Sequence, residues 1–501
     1  MRLPFPERVS LVAVVGFAII LCALQIYQGT APLFSLCCFL FIVIAAVAFN
    51  VAGGITRPSG AYIFFYAVLA VIVGLTWKAV LGEAADSNLQ IPMVTIEVHL
   101  CGICGLLAAA YVSKRLTSKR ALLANFVTDE NMQSATMGCL VTGLGLICVF
   151  AVVPMESGGV LSALLQLNRF LLMAIFLGVI HAIRRSGGTS SISLPVLIAG
   201  GVAFLMGVLG FSKEGMITPF LCWLVAAASQ RYKVSLPQIA GSILLTFFIF
   251  EYLVPYSQVG RNYQGTTNSN IDVSISLLEN LGSVRSEYAG SQAGDEEDQL
   301  AVGYFTHHQG FFDRLQMIGP DDSLVALTES GTVAGIVPVY LYFGNLIPHF
   351  LWKDKPNWGG GNLYAHQMGI LAEDDTSTGI SFSPSGEAFH LMRWTGVFIL
   401  APVLWIMLFT LMDSLCGDVR KSPWGLLAIM TFAHVAPEGG IGILVYSIGY
   451  LAGTIFFAAF TITYLMPIMG ELLIGPKRKT VRFVDPLKQS RPVGLADRPA
   501  G

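Results

Sequence analysis

Stretches of about twenty residues with few or no charges recur along most of the chain, and no other feature restricts its fold as much. A bilayer hydrocarbon core about 30 Å thick is crossed by roughly 20 apolar residues in a helix. Nine such runs precede residue 255, at 9–27, 33–51, 61–80, 91–112, 135–153, 161–183, 194–211, 216–228 and 236–254. Three more follow residue 395, at 396–412, 424–435 and 441–469. Only 12% of the 501 residues are charged while 54% are hydrophobic, where a soluble domain averages about 25% charged. That balance excludes a water-soluble globular enzyme, a disordered chain, a coiled coil and a nucleic-acid binder. The expected fold is an all-α polytopic membrane protein of about 12 transmembrane helices.

The basic residues orient these runs, because loops rich in Lys and Arg stay on the cytoplasmic side. Arg57, the set Lys114, Arg115, Lys119 and Arg120, the pair Arg184 and Arg185, and the pair Arg231 and Lys233 occupy alternate loops. The loops between them carry Glu83, Asp86 and Glu156. Arg420 and Lys421, and then Lys477, Arg478, Lys479 and Arg482, also belong inside, which requires residues 255–395 to lie wholly outside. The first run follows Arg2 and Arg8, exceeds a signal-peptide core and lacks a small-x-small cleavage site, so it reads as a retained anchor. Both termini are then expected to be cytoplasmic. Four regions follow: a membrane part at 1–254, a large extracytoplasmic loop domain at 255–395, a second membrane part at 396–469 and a tail at 470–501. The apolar run from Val333 to Leu346 inside the loop domain is expected to be re-entrant or buried rather than spanning.

The near-zero net charge of -2 conceals a segregation. Residues 255–395 hold 16 of the 31 acids and six of the 29 bases, a local balance of -10, leaving +8 for the rest. Five of the eight histidines, His307, His308, His349, His366 and His390, also lie there, whereas all nine cysteines lie in or beside apolar runs. No disulfide or zinc framework is therefore available to the outer region. Ionisable residues within membrane runs are costly and point to function. Glu97, His99, Arg169, Lys213, Glu214, Glu251, His434 and Glu438 all fall toward the outer ends. Each alone has a local explanation, such as a pairing of Glu97 with His99. Their one-sidedness describes a polar cavity opening outward beneath the loop domain, unlike a transporter, whose polar groups sit near the midplane.

The densest run of polar and aromatic residues extends from His307 to Trp394. It contains Asp313-Arg314-Leu315, then Ile347-Pro348-His349-Phe350-Leu351-Trp352-Lys353-Asp354-Lys355-Pro356, then Thr378-Gly379-Ile380-Ser381-Phe382-Ser383 and Gly386-Glu387-Ala388-Phe389-His390. This pattern resembles the Wzy-type O-antigen polymerases, which polymerise oligosaccharide repeat units. Their outer loop often carries Ile-Pro-Arg-x-Leu-Trp-Pro-x-Lys-Pro, a Thr-Gly segment and a Gly-Glu pair. The chain departs from it with His349 in place of Arg and Lys353 in place of Pro. Arg261 after the ninth run and the turn Ser212-Lys213-Glu214-Gly215 resemble further elements of that family.

The resemblance implies a GT-C-like glycosyltransferase architecture in the bacterial inner (plasma) membrane. It further implies transfer of a glycan from undecaprenyl pyrophosphate to another lipid-linked repeat unit on the outer side. The expected partners are the undecaprenyl-pyrophosphate-linked oligosaccharide, the lipid bilayer and a chain-length regulator, with no nucleic acid and no cofactor. Such a reaction needs cations for the leaving pyrophosphate. The candidates are Arg261 and Arg314 first, as bidentate ligands, then Lys213, Lys353, Lys355 and Arg169. A base for the acceptor hydroxyl is sought among Glu387, His390 and His366, in that order. No metal site is expected, since Asp374-Asp375 reads as a turn cap. An O-antigen ligase and a lipid-linked oligosaccharide flippase or other transporter are the rival readings.

Overall fold

Proline sets the start of many of the helices. It occupies the first or second position of Pro32–Ala52, Pro92–Leu116, Leu194–Leu209 and Pro384–Thr395, where its missing N–H costs nothing and its fixed φ suits the first turn. Pro32–Ala52 ends on Gly53 at φ +94°, the left-handed C-cap that glycine adopts without strain. The computed structural model describes residues 1–124, 126–153, 168–263, 267–294, 303–307, 309–310, 312–349, 351–352, 355, 359–372, 374–375 and 378–474. Over these residues the chain is helical, and the only β pairings are two isolated bridges, Arg2 with Lys233 and Phe382 with Gly439.

Seven helices among the described residues are long and apolar enough to cross a membrane. They are Pro32–Ala52, Pro58–Leu81, Pro92–Leu116, Met132–Phe150, Leu236–Arg261, Pro384–Cys416 and Gly440–Tyr464. The chain is thus an all-helical, multi-pass membrane protein. Five other apolar runs of the sequence also hold helices, but shorter ones: Leu11–Tyr27, Phe170–Arg185, Leu194–Leu209, Lys213–Ser229 and Trp424–Glu438, of 15 to 17 residues. The run at 333–346 forms only the eight-residue helix Val337–Gly344, about 12 Å long at 1.5 Å per residue. That is far short of a crossing. Its Tyr342 packs on Gly442 and the following Leu346 on Gly449.

The 33-residue element Pro384–Cys416 is two helices. Met392 (φ -143°, ψ 23°) and Arg393 (φ 50°, ψ -140°) leave helical geometry and bend the chain sharply. The bend brings Gly396 so close to Ala388 that a Cβ on Gly396 would lie 1.8 Å from the Ala388 carbonyl oxygen. The first half is buried from Pro384 to Leu391, and the second half begins where the apolar run of sequence begins.

The charge segregation of the sequence is also spatial. Loops carrying the bases of the first half meet Arg420 and the N-terminus at one end of the bundle. Arg420 pairs with Glu7 and with Asp418, Arg184 pairs with Asp129, and Arg57 lies 3.9 Å from the buried Asp413. The Leu3 N–H donates to Tyr232 O at 3.0 Å, which pins the N-terminus beside the 231–233 loop. At the other end the acidic loops meet the region after residue 303. Glu83 accepts from the Thr306 N–H at 3.2 Å, and the Tyr304 hydroxyl donates to Ala85 O at 2.7 Å. A π segment at Tyr66–Ile72 interrupts Pro58–Leu81, and its Ala70 carbonyl accepts the Met317 N–H at 2.8 Å. Tyr304, Met317, Ile318 and Tyr342 belong to the same apolar core as the long helices.

Replacing Gly396 by Ala should destabilise the fold by about 1–3 kcal/mol, because backbone must shift to admit the methyl group. Gly453→Ala, with nothing within 4 Å of the new Cβ, is the control and should leave the midpoint unchanged or slightly raised. Thermal unfolding of the detergent-solubilised protein measures both.

Candidate functional site

A cavity of 480 Å³ opens where Gly440–Tyr464 meets the buried half of Pro384–Thr395, under Val337–Gly344 and Gly360–Gln367. Its polar lining includes Tyr342, Tyr364, Glu387, Glu438 and Tyr446. The local sequence explains how Glu387 arrives there. Ser383 caps the helix, its hydroxyl accepting the Gly386 N–H at 3.1 Å, and Pro384 takes the first helical position. Glu387 then follows one turn later, facing the start of Gly440–Tyr464. One carboxylate oxygen accepts from the hydroxyls of Tyr342 and, at 3.3 Å, Tyr364, and the other from the Ile441 N–H. Gly440 sits at φ +56°, and a Cβ there would lie 2.2 Å from Glu387 Oε2, so only glycine allows this approach. Burial first, and then the Glu387 charge, push the Tyr342 and Tyr364 hydroxyls far above the ordinary tyrosine range. Both remain donors to the carboxylate.

Beneath the cavity lies a buried polar layer. His390 accepts or donates at 2.9 Å between its Nδ1 and the Thr328 hydroxyl, and its ring meets the Tyr364 ring edge-on at 4.6 Å. Asp321 Oδ1 accepts the Ser383 N–H at 2.9 Å, and its Oδ2 lies 3.3 Å from His99 Nε2, with both side chains fully buried. His99 therefore faces Asp321. Asp322 caps the helix Pro92–Leu116, accepting from the N–H groups of Gln90 and Ile91 and from the Thr95 hydroxyl. Burial, offset in part by the Ser383 hydrogen bonds, raises Asp321 to about 7.

The three leading cation candidates come together from distant parts of the sequence. Phe211, just before the Ser212-Lys213-Glu214-Gly215 turn, offers its carbonyl to the Ser257 hydroxyl at 2.7 Å and to Arg261 Nε at 3.3 Å. The turn is thereby fixed on the end of Leu236–Arg261. Arg314 is held by an ordered loop, in which Phe312 stacks on Trp77 with ring centroids 3.8 Å apart and Asp313 accepts the Gln309 N–H at 2.8 Å. Burial first, and then the Arg314 and Arg261 guanidinium groups, push the Lys213 ammonium down to about 7. Arg261 and Arg314 are exposed. Among the described residues no ion pair engages any of the three.

A pair outside the expected set also reaches the cavity. His434 Nδ1 lies 2.5 Å from Glu438 Oε1, one helical turn on, and Glu438 lines the cavity. The charge of Glu214, next to Lys213, reaches His434. The i, i+4 spacing of His434 and Glu438, immediately before Gly439-Gly440, is the sequence signal for this pair.

The remaining candidates have other settings. The Lys355 ammonium donates to Asn345 O at 3.1 Å and Ile347 O at 2.9 Å, closing the turn after Val337–Gly344. His366 Nε2 lies 2.8 Å from Asp375 O, away from the cavity lining. Arg169 is exposed at the start of Phe170–Arg185, and no described contact joins it to the Lys213 group. Lys353 lies outside the described residues. Asp375 Oδ1 accepts the Thr378 N–H at 2.9 Å, as in a capped turn. Among the described residues no group of three or more His, Cys, Asp and Glu side chains is arranged to hold a metal.

Asp321 supplies a pH test of the buried layer. Its folded value near 7 exceeds the unfolded value of about 3.9, so its contribution is full below that value and is lost as pH rises through 7. Asp321→Asn should flatten the fall of the thermal midpoint between about pH 4 and pH 7; an unaltered slope would assign that fall to other groups. Compared with known proteins, the chain matches no family, no curated protein and no solved structure.

Proposed function

We propose that the protein is a polysaccharide polymerase, a membrane glycosyltransferase that uses a polyprenyl-pyrophosphate-linked glycan donor, as the resemblance to Wzy-type polymerases implies. In this reading the chain crosses the bacterial inner membrane twelve times with both termini cytoplasmic. The end bearing the cavity is then extracytoplasmic, and the undecaprenyl-pyrophosphate-linked oligosaccharide reaches it from the bilayer. One observation carries the reading. The charges of Arg261 and Arg314 reach Lys213, none of the three makes an ion pair among the described residues, and the cavity is lined by tyrosines and two carboxylates.

The geometry divides the reaction between the two parts. The cations hold the donor pyrophosphate, where negative charge grows as the bond from the anomeric carbon to phosphate oxygen breaks. The acceptor sugar occupies the cavity, whose tyrosine faces and carboxylates suit a polyhydroxylated ring. Its hydroxyl oxygen forms the new bond to the anomeric carbon and gives up its proton to a carboxylate. Glu387 was the first choice from sequence, but its oxygens are already engaged by three donors. Glu438, backed by His434, is the better base, and Glu387 orients the cavity wall.

Arg261→Ala and Arg314→Ala should each abolish long polymer while single repeat units remain on the lipid carrier. Unchanged polymer ladders in both variants would remove the pyrophosphate assignment. A ligase would show itself by the loss of even single capped units. Glu438→Gln should lower the rate of purified protein on a defined lipid-linked repeat unit by about 10²-fold or more, with binding of that substrate retained.

Lys213 adds a pH signature. It carries charge only below about 7, so its help to a bound pyrophosphate declines as pH rises. Lys213→Arg stays charged and should bind a non-hydrolysable bisphosphonate more tightly than the parent above neutral pH, with the difference vanishing in acid. Titration calorimetry at a series of pH values reads this.

A further inference from the structure

A second cavity, of 380 Å³, lies at the opposite end of the bundle, among the ends of Met132–Val152, Phe170–Arg185 and Leu194–Leu209. Its lining contains Arg185, His181, Gln133 and the hydroxyl residues Thr136, Ser190 and Ser193, and it contains no carboxylate. The nearest acid whose charge reaches it, Asp129, is taken up by Arg184. Arg185 is exposed and makes no ion pair among the described residues. This distinguishes it from Arg57, Arg184 and Arg420 of the same end. Ser193 is the N-cap of Leu194–Leu209, its side chain accepts no capping bond, and the first turn of that helix forms part of the wall.

We propose that this cavity binds a phosphate ester, the headgroup of an anionic phospholipid of the same leaflet. Arg185 provides the guanidinium fork that matches phosphate oxygens, and the Ser193 hydroxyl and the open helix start provide neutral donors. The choice of a lipid over a free anion comes from what adjoins the cavity. Leu194, Leu197, Ile198 and Leu205 of the helix that starts at its wall are exposed at 69%, 59%, 40% and 58%, offering an apolar track along which acyl chains run once the headgroup is seated. The site is independent of the glycan chemistry at the other end.

The test uses the full-length protein, delipidated in detergent, with thermal unfolding read against added phosphatidylglycerol, phosphatidylcholine or inorganic phosphate. Phosphatidylglycerol should raise the midpoint at a concentration at least tenfold below that of phosphatidylcholine, and Arg185→Ala should remove the difference. Ser193→Asp is the second variant. Aspartate is as good an N-cap as serine, so the fold is kept while a carboxylate enters the cavity, and the phosphatidylglycerol response should again be lost. A phosphatidylglycerol response retained in both variants overturns the site. Stabilisation by inorganic phosphate equal to that by phosphatidylglycerol, and lost in the same variants, overturns the lipid assignment in favour of a soluble phosphate. A response to neither probe overturns both.

Discussion

The end of the bundle that holds the cavity depends on one short helix that does not continue into the span following it. From Pro384 to Leu391 every residue is buried, and the chain then turns through Met392 and Arg393. An arginine at φ 50° and ψ -140° is strained, at a cost of about 1–3 kcal/mol. The Arg393 side chain offsets some of that by donating to Thr328 O at 3.0 Å near Glu329. The break lets the helix carrying Glu387 to Tyr342 and Ile441, and His390 to Thr328, take a direction different from the span that follows. Tyr66, by its 2.7 Å hydrogen bond to Ser385, and Asp321, through Ser383, hold the same turn from two other helices.

The two ends of the bundle use charge in opposite ways. At the end that holds the N-terminus, Arg57, Arg184 and Arg420 face carboxylates, so that charge acts there as a fastener between loops. At the other end the acids are the ones consumed: Asp322 by backbone N–H groups, Glu387 by hydroxyls, Asp321 by Ser383. The cations Lys213, Arg261 and Arg314 are left over. A bundle assembled in hydrocarbon has few places to keep an unpaired charge, so a cation without a carboxylate is a candidate for ligand binding.

Much of the architecture was legible because it follows from apolar run length. The positions of the apolar helices and the segregation of charge along the chain are readable from which residues water would reject, whereas 333–346 reads from sequence only as a re-entrant or buried segment, without the eight-residue helix it forms. Lys213, Arg261 and Arg314 are singled out by side and residue type alone, which does not tell whether their charges reach one another. The finer pairing was not legible. Nothing in the sequence distinguishes Asp321, which faces His99, from Asp322, which caps a helix, since the difference is the direction of two consecutive side chains on a buried turn. His366 and Lys355 failed to reach the cavity for a similar reason: each finds backbone carbonyls nearby that satisfy it locally. The His434–Glu438 pair was visible as spacing, but its place on the cavity wall depends on the helix break at Gly439-Gly440.

Four long helices carry π segments, at Tyr66–Ile72, Ile249–Leu253, Gly396–Leu400 and Ser447–Leu451. Each is the trace of one surplus residue in an α-helix. The face a helix presents beyond such a segment is therefore set by an insertion and not by its substitutions. In Tyr66–Ile72 the surplus residue leaves the Ala70 carbonyl turned toward Met317. Alignments of this chain that forbid single-residue gaps inside helices would misplace the side chains beyond each segment by about 100° around the helix axis, and with them the walls of the cavity.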